Sequence, residues 1–107
     1  MHVVVVGCGR VGSEIAGKLE AQGHSVSIID KRKDAFLRLP KEFAGKRVVG
    51  FGFDRDTLIE AGITEAGALA SVTSGDNSNI MSARVARETF GVQQVVARIH
   101  FVSMDCR

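Results

Sequence analysis

Six residues near the amino terminus, Gly7-Cys8-Gly9-Arg10-Val11-Gly12, spell G-x-G-x-x-G, and Asp30 follows 18 residues after Gly12. Each glycine has a separate physical task in such a loop. Gly7 permits a tight turn. Gly9 lets the backbone approach a pyrophosphate with no Cβ in the way. Gly12 lets a helix pack closely on a strand. The free N–H groups and the dipole at that helix start then favour phosphate. An acid at the end of the next strand accepts hydrogen bonds from ribose hydroxyls, and its charge disfavours a 2′-phosphate. The pattern carries this meaning only where a strand precedes it and a helix follows. A glycine-rich turn with a capping Asp is the plainer alternative.

Other residues can join that chemistry. Arg10 stands in the first helical turn, where a cation is poorly placed unless an anion is present. Lys31 and Arg32 follow Asp30 at once and offset part of its charge. Residues 31–47 hold seven of the 14 basic residues against two acids, a face that suits phosphates or simply solvent. Thr73 and Asn79 bracket Ser74-Gly75-Asp76-Asn77-Ser78, small polar residues suited to a ribose or pyrophosphate, or to helix capping with Asp76 as N-cap. Arg98 ends an apolar run, so it needs an acid or a phosphate as partner. Cys8 reads as packing in a position that wants a small residue. His2, His24 and His100 show no metal-ligand spacing, and Cys8 and Cys106 form no C-x-x-C.

The elements that must hold these groups are legible in order. Val3–Val6 reads as a strand buried on both faces. Residues 10–22 read as a helix with Val11, Ile15 and Leu19 on one stripe and Gly23 as its stop. Strands follow at 25–29, 47–49, 68–72 and 94–99. Helices lie between them at 33–39 (ended by Pro40), 54–61 (with Asp54 or Asp56 near its start and Gly62 after it) and 77–90 (with Gly91 after it). Strict β–α alternation implies an α/β fold, a Rossmann-like doubly wound parallel sheet of five strands in the order 3-2-1-4-5. Such sheets bind ligands at the carboxyl ends of the strands.

Composition bounds the rest. The 107 residues make one domain, 1–107, since domains run about 100–150 residues. A net charge of +2 gives no argument for nucleic acid. No apolar run reaches the roughly 20 residues that a membrane span needs, and Val3–Val6 is too short for a leader. Two cysteines do not make a secreted disulfide scaffold, which points to the cytoplasm.

With these motifs in place, the chain resembles the TrkA-N domain family, also called the N-terminal RCK (regulator of potassium conductance) domain. The resemblance runs through VVVVGCGRVGSEIAGKLEAQGHSVSIIDK, DTLIEAGI, ASVTSGDNSNIMSARVARETFG and VVARI. It implies a cytosolic gating subunit of a potassium uptake system or channel. Such a subunit binds NAD(H) or ATP/ADP, forms homodimers and then rings, and bears on a membrane-embedded pore subunit from the inner face of the membrane. It implies nucleotide-site roles for Gly7, Gly9, Arg10, Val11, Gly12, Asp30, Thr73, Asn79 and Arg98. Two departures stand out. Gly50-Phe51 occupies the place of the family's Gly-Asp, whose Asp lies near the adenine. A charged acceptor is lost, and Phe51 either stacks on the base or fills core. Family domains also continue through one more helix and strand, so the chain is expected to be a truncated piece.

Two further readings compete. One is the cofactor domain of an NAD-dependent oxidoreductase. Hydride transfer needs a substrate-holding element and a proton donor, and the chain has no Tyr, no placed His and no substrate domain. The chain is therefore expected not to be an enzyme. The other is an assembly module with a vestigial loop, against which the intact fingerprint and Asp30 stand.

Overall fold

The computed structural model describes residues 1–99. His100 and Cys106, and the expected start of a further helix, lie outside the described residues. Five parallel strands form one sheet in the order β3-β2-β1-β4-β5. They are β1 (His2–Val6), β2 (Ser25–Asp30), β3 (Lys46–Val49), β4 (Ala66–Ser71) and β5 (Gln94–Ala97). Three α-helices flank them: α1 (Arg10–Ala21), α2 (Arg55–Glu60) and α3 (Asp76–Arg84). The order is the one expected from the alternation.

The valine run is the hub. β1 pairs with β2 on one side and β4 on the other, Val4 lying between Ser27 and Leu69. Its side chains alternate between two apolar layers. Val4 and Val6 join Ile29, Val48, Leu58 and Leu69 on one face. Val3 and Val5 join Cys8, Ala16, Val26 and Ile28 on the other. Val4 and Val5 are wholly buried, and each contributes about 1.5–3 kcal/mol relative to exposure.

Helix α1 packs more closely than its Val11-Ile15-Leu19 stripe suggests. The residues buried at its contact are Gly12, Ser13 and Ala16, while the three larger side chains pack from the flank. Gly23 ends it in the left-handed region, at φ 94°, with the His24 N–H donating to the Leu19 carbonyl. Asp54 caps α2, its carboxylate accepting from the Thr57 N–H and hydroxyl at 3.3 and 2.8 Å.

Four expectations need correction. Lys33–Arg38 is a 3-10 helix with no buried residue, because Pro40 stops it before an α-helical face can form. The helix expected over 77–90 is α-helical only to Arg84, then widens to π turns over Val85–Thr89 and buries Ala86. Its N-cap is Gly75, with Asp76 already inside the first turn. β4 begins at Ala66, because His2 pairs there across a register shift that Gly67 accommodates.

Candidate functional site

Parallel strands put every expected site residue on one rim. The Gly7–Gly12 loop leaves β1, Asp30 ends β2, Phe51 follows β3, Thr73 follows β4 and Arg98 follows β5. The sheet order reverses between β1 and β4, which opens a crevice at their carboxyl ends.

The loop has the geometry its glycines imply. Gly7 adopts φ 104°, and a Cβ there would lie 2.9 Å from the Thr73 backbone nitrogen. The first and fourth strand exits therefore touch. A Cβ on Gly12 would fall 1.7 Å from the Gly7 carbonyl oxygen, so helix and loop share one volume. A Cβ on Gly9 would meet nothing within 4 Å, so the space above it is open. Gly9 is the N-cap of α1, with no side-chain cap and no acid in the first turn. The first intrahelical bond runs from the Ser13 N–H to the Gly9 carbonyl at 3.0 Å. The N–H groups of Arg10, Val11 and Gly12 precede it and face the open end with the positive dipole. Arg10 itself is exposed.

Asp30 is pinned to this loop. Its Oδ2 accepts from the Cys8 N–H at 2.8 Å, and its Oδ1 accepts from the Arg32 N–H at 2.8 Å. A carboxylate offers about four lone-pair positions, so two remain for a diol. The contact between Asp30 and the loop is invisible in sequence spacing. Lys31 is exposed beside it, and Arg32 pairs with Asp34 at 3.6 Å.

The remaining residues divide. Asn79 is fully buried and its amide is spent internally. Its Oδ1 accepts from the Ser71 hydroxyl, the Thr73 N–H and the Thr73 hydroxyl at 3.0, 2.9 and 2.7 Å. Its Nδ2 donates to the carbonyls of Thr73 and Arg98 at 2.9 and 2.8 Å. The structure thus corrects the idea that the Asn79 side chain reaches a ribose. Asn79 positions Thr73 and the exit of β5 instead. Arg98 is half-buried, and no carboxylate among the described residues pairs with it. Phe51 is 51% exposed, so it does not fill core; its ring stacks on Phe53, centroids 5.2 Å apart and planes 26° from parallel. Phe53 is a site neighbour that the sequence did not single out, although its spacing from Phe51 was the available signal.

Ser74–Ser78, with Ile80 and Ile99, line an open cleft of about 480 Å³ on the same rim. A second groove of about 430 Å³ lies at the opposite end of the sheet around His2, away from the loop. There His2 bonds the Ser25 hydroxyl and the Ala61 carbonyl at 2.8 and 2.9 Å, a structural role. Burial pushes the Cys8 thiol up to about 11, with Asp30 adding to the shift. Cys8 is therefore a protonated packing residue and not a thiolate. No group of His, Cys, Asp and Glu among the described residues could hold a metal, and no helix there is long and apolar enough to cross a membrane.

The sequence profile of the TrkA-N domain matches residues 3–103. Among relatives, the chain is 63% identical over 100 residues to a Trk system potassium uptake protein TrkA of Streptomyces coelicolor, covering 94% of this chain and 45% of that protein. It thus spans less than half the length of that relative. Among solved structures, the Shewanella denitrificans Kef C-terminal domain in its AMP-bound form superposes with TM-score 0.76 at 25% identity, covering 92% of this chain and 58% of that one. The TrkA-N domain of the Escherichia coli inner membrane protein ybaL superposes with TM-score 0.82 at 24% identity, covering 94% and 73%, and shows the shared fold.

Proposed function

The chain belongs to the TrkA-N domain family, and from that premise we propose that it is the nucleotide-sensing domain of a regulatory subunit of a potassium uptake transporter or channel. NAD(H) or ATP/ADP binds at the carboxyl rim. Pyrophosphate sits on the N–H groups of Arg10, Val11 and Gly12 above the open face of Gly9, and the Arg10 guanidinium neutralises its charge. Asp30 takes the ribose hydroxyls and disfavours the 2′-phosphate of NADP, Lys31 and Arg32 offsetting part of that effect. Lys31, Phe51, Thr73 and Arg98 border the bound molecule, and Asn79 acts through Thr73. Residues 1–107 act as one domain of a homodimer and higher ring on the cytoplasmic face, attached to the membrane through the pore subunit. Nucleotides of different charge favour different arrangements of neighbouring domains, and the ring passes that bias to the pore.

The observation that carries the reading is the bond between Cys8 N–H and Asp30 Oδ2. It joins the phosphate loop and the ribose acceptor into one built site, with open space at Gly9. The AMP-bound relative and the potassium uptake relatives point the same way. The alternative of an NAD-dependent oxidoreductase rests on fold likeness alone, such as that to a UDP-glucose 4-epimerase at 19% identity.

Calorimetric titration with NAD+, NADH, ATP and ADP tests the proposal. At least one binds, and Asp30→Asn weakens NAD+ by about 10- to 100-fold while narrowing its advantage over NADP+. Absence of binding by all four would overturn the reading. Turnover of carbonyl substrates with NADH would favour the oxidoreductase.

A further inference from the structure

We infer that this site holds the purine by its face and does not select adenine over guanine. The inference rests on the nucleotide-binding reading above. Phe51 presents a ring that is 51% exposed on the rim. The half-buried Phe53 backs it at a centroid distance of 5.2 Å. The pair is anchored beside the ribose acceptor, since the Gly50 N–H donates to the Asp30 carbonyl at 3.0 Å. The turn is closed by the Asp54 N–H on the Phe51 carbonyl at 3.1 Å. It is seated by Gly52, where a Cβ would lie 2.2 Å from Val6 Cγ1. The platform thus offers an aromatic face whose side chains carry no donor or acceptor.

Discrimination between the two purines needs hydrogen bonds at the edge where they differ. An acceptor would read the adenine 6-amino group, and a carboxylate would read the guanine N1–H and 2-amino group. The carboxylates on this half of the rim are either bonded to backbone or, like Asp34 and Asp56, exposed to solvent, where water competes for any base-edge hydrogen bond. Asp30 holds the Cys8 and Arg32 N–H groups, Asp34 pairs with Arg32, and Asp54 caps α2. The exposed Lys31 is a donor; N7 is common to both purines and O6 is an acceptor of guanine alone, so Lys31 gives adenine no advantage. Stacking on an aromatic ring is tolerant of base identity, because every base has a π-face.

The test compares matched pairs on the purified chain: NAD+ with nicotinamide guanine dinucleotide, ATP with GTP, and ADP with GDP. Within each pair that binds, the two affinities agree to within about fivefold, below what one good base-edge bond confers. Phe51→Ala weakens both members in parallel, by about 5- to 100-fold. A preference for the adenine member above about fivefold overturns the inference and leaves nucleotide binding intact. So does a Phe51→Ala protein that folds and binds as tightly as the parent. Failure of every pair to bind overturns both readings. The comparison within pairs needs no variant.

Discussion

A Cβ placed on Gly12 would lie 1.7 Å from the Gly7 carbonyl oxygen, whereas one placed on Gly9 would meet nothing within 4 Å. The two glycines of one motif therefore differ: packing requires Gly12, whereas Gly9 faces open space, which the proposed function gives to the ligand. Gly12→Ala is expected to destabilise the fold by about 1–3 kcal/mol or more in urea titrations. Gly9→Thr, at an N-cap with φ −89°, is expected to keep stability within about 0.5 kcal/mol. It is also expected to lower nucleotide affinity at least tenfold by calorimetry, since its side chain fills the phosphate approach. Equal stability losses in the two variants would refute this division. Cys8 supplies a pH signature. Its folded-state value of about 11 lies above the ordinary 9.0, so the unfolded chain releases the proton first. The contribution is complete below pH 9 and is lost as pH rises from about 9 to 11, by of order 1–3 kcal/mol. Cys8→Ser is expected to flatten that part of the stability curve, and the native Cys8 thiol to resist alkylation at pH 8.

At the scale of elements, the buried Asn79 amide ties α3 to the exits of β4 and β5 through five hydrogen bonds. Its removal leaves the Thr73 N–H and the Ser71 hydroxyl without that acceptor. Asn79→Ala is expected to cost about 2–4 kcal/mol by urea denaturation, with nucleotide affinity falling only through disorder of Thr73. The neighbouring Ser82 presents the opposite case. Its hydroxyl is buried with no hydrogen-bond partner among the described residues, so Ser82→Ala is expected to be neutral or stabilising by up to about 1 kcal/mol. Element boundaries were readable where local chemistry rules them, as at the Gly23 stop of α1 and the Asp54 cap of α2. They were not readable where tertiary pairing rules. Ala66 joins β4 because His2 pairs with it, and Ala86 is buried within the π turns at Val85–Thr89.

Among the described residues, β1 lies between two neighbours and two apolar layers, while β3 and β5 are the outer strands, with exposed Val49 and Val96. Native-state hydrogen exchange is expected to be slowest at Val4 and Val5 and markedly faster along β3 and β5; uniform protection would contradict this. The sequence by itself determined the strand–helix alternation, hence the parallel sheet and its rim, because periodicity and turn chemistry are local. It also determined that the Gly7–Gly12 loop and Asp30 share that rim, because parallel strands bring their carboxyl ends to one side. Only the tertiary structure decided that Asn79 turns inward while Phe51 turns outward onto Phe53, and that Cys8 N–H clasps Asp30. Those outcomes depend on which groups meet across strand exits far apart in sequence, where a buried amide must satisfy every donor and acceptor it brings.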